Sequence, residues 1–178
     1  MTANSDVVIG NARIVLAERV IEHGWVAMAD GHIADVGEGT APGVSQDAGG
    51  DLIMPGLIEL HTDHLEAHYV PRPKVFWDPV AAVISYDGQL ATSGITTVLD
   101  SLRVWREDGA EEVDGRADVL ARAIADAREG NLLRADHFLH LRAEIPMPSV
   151  VEETKELIGR SDVRLGSRLI RSTIQERR

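Results

Sequence analysis

His61 and Asp63 stand two residues apart where the apolar run Leu57-Ile58-Glu59-Leu60 ends. In a β-strand, residues two apart point to the same side. An imidazole nitrogen and a carboxylate oxygen would therefore converge at a strand terminus. That donor pair suits a divalent metal. His64 falls on the other face and is the poorer partner for His61. A bare His-x-Asp is common, and its ordinary fate is a pair of solvated side chains at a strand end. The preceding Leu52-Ile53-Met54-Pro55-Gly56 changes the balance, because an apolar run, a Pro-Gly turn and a second apolar run predict a buried strand.

A second cluster lies in His137-Phe138-Leu139-His140-Leu141-Arg142-Ala143-Glu144-Ile145. Alternation puts His140, Arg142 and Glu144 on one face and Leu139, Leu141 and Ala143 on the other. Three polar groups on one strand face are costly to desolvate unless they pair or meet a ligand. Glu144 lies nearest the strand's end, where a barrel has its catalytic mouth, and is the best further metal ligand. Arg142 either binds a phosphoryl oxygen or holds Glu144 in place. The plainer alternative is an internal Arg-Glu ion pair beside a satisfied histidine. Arg72 and Lys74, next to Phe76-Trp77, are suitable donors to phosphoryl oxygens. Asp100 closes another apolar run and either reaches the mouth or caps the next helix. His23, His32 and His68 read as surface or turn histidines.

The elements that must position these groups follow from periodicity. Residues 6–16 read as two short strands broken at Gly10-Asn11, and residues 24–30 as a strand. Asp30-Gly31 marks a hairpin and His32 to Val36 its return strand. Residues 37–50 read as loop. Residues 52–60 form one continuous apolar strand. A helix entered through Pro79 covers 79–93, a β-branched strand covers 94–100, and 111–129 carries a helical apolar stripe including Val113, Leu120 and Ile124. A strand over 135–145, a helix over 150–158 and an apolar segment from Val163 complete the order. Strands alternating with helices predict a parallel sheet, either open and doubly wound or a (β/α) barrel.

Composition narrows the function. The 178 residues allow a core of useful size, the formal net charge is −11, and there is no cysteine. A general nucleic-acid surface needs a basic stripe, which this charge opposes. Any metal must be held by His, Asp or Glu. No run approaches a membrane span and no leader is read at Met1 to Asp6, so the expectation is a soluble cytoplasmic protein without membrane or nucleic-acid partners. No glycine-rich nucleotide loop follows any strand.

The β prefix followed by Met54-Pro55-Gly56-Leu57-Ile58-Glu59-Leu60-His61 resembles the amidohydrolase superfamily. Together with Pro71-Arg72-Pro73-Lys74-Val75, Ser93 to Asp100 and His137-x-Leu139-His140-Leu141-Arg142-Ala143-Glu144, it resembles the PhnM family. These are the α-D-ribose 1-methylphosphonate 5-triphosphate diphosphatases of the carbon–phosphorus lyase pathway. The resemblance implies a partial (β/α) TIM-like barrel of the amidohydrolase type preceded by a small antiparallel β unit. It divides the chain into residues 1–51, a β-sandwich part; 52–165, the first half of a barrel; and 166–178, an atypical basic tail. It implies a phosphoric anhydride hydrolase with a Zn, Mn or Fe ion. His61, Asp63 and Glu144 would be its ligands, and Arg72, Lys74 and Arg142 would contact a phosphorylated ribose-phosphonate. Superfamily members usually carry His-x-His where this chain has His61 and Asp63, and the role of His64 stays open. A whole barrel needs about 250 residues. The expectation is an N-terminal fragment, inactive alone, whose catalytic groups lie mainly in the missing half and which self-associates or needs a complementing half. Another C–N hydrolase of this fold, or a non-catalytic assembly module derived from it, are the alternatives.

Overall fold

A computed structural model describes residues 7–104, 117–145 and 149–169. The chain divides into two compact units, Met1–Pro55 and Gly56–Arg178.

The first unit is a small sheet of β1 (Val7–Val15), β2 (Val20–Ala29), β3 (His32–Glu38), β4 (Gln46–Asp47) and β5 (Leu52–Ile53). β1, β2 and β3 are antiparallel, and β4 and β5 both lie parallel to β1. Gly10-Asn11 does not break β1 into two strands. Asn11 takes φ 50°, and the register with β2 shifts between Ile9 and Ala12. An irregularity of this kind bends a strand without ending it. Asp30 and Gly31, at φ 51° and 72°, supply the two positive φ values that a two-residue hairpin turn requires. Ala12, Ile14, Ile21 and Val26 form its core.

The second unit begins with β6 (Leu57–Thr62) and α1 (His64–Tyr69), followed by α2 (Pro79–Thr92) and β7 (Ile95–Val104). Then come α3 (Ala117–Glu129), β8 (Asp136–Glu144), α4 (Val150–Ile158) and β9 (Val163–Leu169). The strands form one sheet in the order β6-β7-β8-β9, every neighbouring pair parallel. Among the described residues this is four strands of a half-barrel, half of the eight that close a (β/α) barrel. Asp78 caps α2 by accepting from the Ala81 N–H at 2.8 Å, and Pro79 takes the first helical position, where no N–H is needed. α3 buries Leu120, Ala121, Ile124 and Ala127, the stripe that its period predicts, while Val113 lies outside the described residues. These residues pack with Val98, Leu102 and Val104 of β7 and Leu139 and Leu141 of β8 into one core.

Two expectations are corrected. Residues 52–60 are not one strand: Met54-Pro55-Gly56 separates β5 from β6, and the two pair in different sheets. Nor is β6 buried, since Leu57, Ile58 and Leu60 are 49%, 62% and 59% exposed. β6 has only β7 beside it among the described residues, so its apolar side chains lack the second neighbour that buries an internal strand. Helix α1 went unread because Asp63 and His64 look like a strand end. Its buried contacts, Leu65 and Tyr69, are spaced four apart on one helical face.

Candidate functional site

In a parallel sheet the C-terminal strand ends gather on one side, and charged groups collected there are the natural ligand-binding set. β6 ends in His61 and Thr62 with Asp63 directly after it, β7 brings Arg103 near its end, and β8 brings Arg142 and Glu144. Arg103 and Arg142 are register partners on adjacent strands.

Arg142 joins two strand ends. Its Nη1 donates to Asp63 Oδ2 at 3.1 Å, and its Nε lies 3.3 Å from Glu144 Oε1. Asp63 is half exposed, whereas the Arg142 and Glu144 side chains are only 8% and 5% exposed. The Nε–Oε1 approach lacks hydrogen-bond alignment, so both atoms are buried without a hydrogen-bond partner among the described residues. Partial burial opposes the charge on Asp63, but the hydrogen bond and charge of Arg142, helped by His61, hold its carboxyl below the usual range.

Beside this bridge, Glu66 of α1 holds Arg103. Its Oε1 accepts from the Arg103 N–H at 3.1 Å, and Oε2 lies 3.0 Å from Nη2. Burial pushes the Glu66 carboxyl up, outweighing the Arg103 guanidinium. His140 sits next to His61, the rings edge to face at 4.8 Å between centroids. With Nδ1–H donating to Leu60 O at 3.3 Å, His140 Nε2 accepts from the Ser167 hydroxyl at 2.8 Å. Burial and the neighbouring His61 hold its pKa below the ordinary value.

The structure thus brings Asp63, Arg142 and Glu144 together and places His61 nearby. It puts Arg72 and Lys74 on the exposed 70–78 loop, with Lys74 at φ 63°. The contacts of Arg142 are with Asp63 and Glu144, not with that loop. Asp100 neither reaches the mouth nor caps a helix. It faces the helices, where Oδ2 lies 2.8 Å from His137 Nδ1, and His137 Nε2 lies 3.4 Å from Asp87 Oδ1 of α2. Glu66, Arg103 and Ser167 escaped the sequence reading. Arg103 was within reach of it: extending the β-branched strand past Asp100 sets this residue on the same face as Ser101. The basic tail of residues 166–178 lies outside the described residues from position 170 onward.

Imidazole and carboxylate are fitting donors for a divalent ion, but their placement does not close a site. Among the described residues no three His, Asp or Glu side chains are grouped to hold a metal. Arg142 pairs with both carboxylates instead.

Along 162 residues, 90% of its length, the chain is 35% identical to the α-D-ribose 1-methylphosphonate 5-triphosphate diphosphatase of Escherichia coli (strain K12). Over that stretch it is a relative of this diphosphatase. The chain spans 42% of the length of that curated relative. No family model matches the chain. Among solved structures it overlaps an N-acetyl-D-glucosamine-6-phosphate deacetylase from Mycobacterium smegmatis with a TM-score of 0.48 and 18% identity, covering 78% of this chain and 32% of that one. It also overlaps an adenosine deaminase from Xanthomonas campestris with bound zinc at a TM-score of 0.42 and 13% identity, covering 78% and 43%. These structural overlaps are too partial to assign chemistry, so the diphosphatase likeness rests on the sequence match. Among the described residues no helix is long and apolar enough to cross a membrane.

Proposed function

We propose that this chain forms half of the substrate mouth of a hydrolase that releases pyrophosphate from α-D-ribose 1-methylphosphonate 5-triphosphate. The observation that carries the reading is the Asp63–Arg142–Glu144 bridge across β6 and β8, within a stretch 35% identical to the diphosphatase. Arg72 and Lys74 are the donors to the phosphoryl oxygens, since a guanidinium offers paired N–H groups and an ammonium a compact charge. Arg142 acts chiefly by holding the two carboxylates in place. His61, Asp63 and Glu144 are the candidate ligands of a Zn, Mn or Fe ion. Because Arg142 holds two of them, metal binding requires it to release them. Four strands supply half of a closed mouth, so the chain alone is expected to bind this substrate and turn it over poorly.

Pyrophosphate release by the purified chain, measured with and without added Zn²⁺ or Mn²⁺, tests the reading alongside substrate binding. Binding with little release, weakened by Arg72→Ala, supports it. Robust release by the isolated monomer overturns the half-mouth part, and absence of binding overturns the substrate.

A further inference from the structure

The contact between Arg142 and Glu144 is close but ill made. Nε lies 3.3 Å from Oε1, yet both atoms are buried and, among the described residues, neither has a hydrogen-bond partner. A buried donor and a buried acceptor left unmet each carry a desolvation cost. Glu144 Oε1 is short of a cation or a donor, and Arg142 Nε is short of an acceptor. The same guanidinium holds the half-exposed Asp63, Nη1 to Oδ2 at 3.1 Å. Beside it, Arg103 and Glu66 compensate each other in charge. Arg142 thus serves two carboxylates with one positive charge, and one negative charge is left in excess.

A better-satisfied arrangement of the same groups exists. Asp63 and Glu144 together carry the charge that a divalent cation neutralises, and carboxylate oxygens are fitting donors to it. Arg142, once released by them, pairs best with a tetrahedral oxyanion, through two N–H groups at once. Either ligand alone leaves a buried charge stranded: a cation alone strands the Arg142 guanidinium, and an oxyanion alone strands Glu144. We propose that Arg142 couples the two, so that a divalent cation and a tetrahedral oxyanion each tighten the binding of the other at this mouth. Coupling of this kind is reciprocal. The inference rests on Asp63 and Glu144 being the metal-binding carboxylates, and it goes beyond that reading by giving Arg142 an exchange of partners.

Mn²⁺ binding by the full chain, counted from the free-ion electron paramagnetic resonance signal, tests this with and without sulfate at matched ionic strength. Protein-free samples correct for ion pairing in the buffer. Sulfate is expected to tighten Mn²⁺ binding by at least about tenfold, within the usual span of coupling between two sites. Arg142→Met is expected to bind Mn²⁺ without sulfate and to ignore sulfate. Asp63→Asn, at a half-exposed position, is expected to lose the sulfate-dependent gain. Should Arg142→Met fail to fold, the unsubstituted chain and Asp63→Asn decide. Equal Mn²⁺ affinity with and without sulfate, weakened in both cases by Asp63→Asn, overturns the coupling and leaves the carboxylates as ligands. No Mn²⁺ binding under any condition, or binding that Asp63→Asn leaves unchanged, overturns the ligand reading and the coupling with it.

Discussion

Arg142 Nη1 lies 3.1 Å from Asp63 Oδ2, joining the residue after β6 to the end of β8 across 79 positions of sequence. The same guanidinium keeps the buried Glu144 carboxylate company at 3.3 Å. Position in the sheet and charge pairing are here one feature. A parallel sheet collects its strand ends on one side, and the carboxylates gathered there need a counter-charge.

Removing that counter-charge leaves Glu144 buried and uncompensated. Arg142→Met is expected to lower stability by about 3–5 kcal/mol, read as a fall in the urea midpoint. Adding Glu144→Leu is expected to restore most of it, because an apolar pair removes the stranded charge. The half-exposed Asp63 should contribute little to either change.

His137 predicts a pH dependence. Burial opposes its charge, but hydrogen bonds and charges from Asp100 and Asp87 outweigh that and raise its pKa above 6.5. The Arg128 guanidinium, bonded to the His137 carbonyl, and Arg134, near Asp87, are the cations facing this group. A raised pKa contributes stability that is complete below the unfolded value and lost as pH rises through the folded one. Thermal unfolding between pH 6 and 9 is therefore expected to show declining stability, and His137→Gln to flatten that decline.

Gly56 is fixed by contact rather than by turn geometry. A Cβ there would overlap Cγ2 and Oγ1 of Thr96, where β6 meets β7. Gly56→Ala is expected to cost roughly 1–3 kcal/mol, in the range of other overpacked sites, and Thr96→Gly to recover part of it. Denaturant titration of the two single variants and the double variant measures both.

Arg72→Ala removes an exposed guanidinium from the 70–78 loop. Stability is expected to change by less than about 0.5 kcal/mol, as at most surface positions, while affinity for the triphosphate falls. Circular dichroism melts and equilibrium binding on the same preparation separate the two effects.

How much of this was readable from residues alone varied with the kind of signal. The Asp30-Gly31 hairpin, the Pro79 entry to α2 and the α3 stripe are local patterns, and the structure keeps them. So is the alternation that set Arg142 and Glu144 on one face. What sequence could not supply was cross-strand register. Asp100 faces His137 only because β7 and β8 align as they do, and Glu66 meets Arg103 only through a helix too short to read. The exposure of Leu57, Ile58 and Leu60 depends on what lies beside β6, which among the described residues is β7 alone, and no residue of β6 states that.

The most direct measurement is calorimetric titration of the chain with α-D-ribose 1-methylphosphonate 5-triphosphate, and in parallel with the same sugar phosphonate lacking the triphosphate. Saturable binding that requires the triphosphate and weakens with Arg72→Ala is the predicted result. Equal heats for both ligands, or no binding of either by a folded chain, would contradict the assignment.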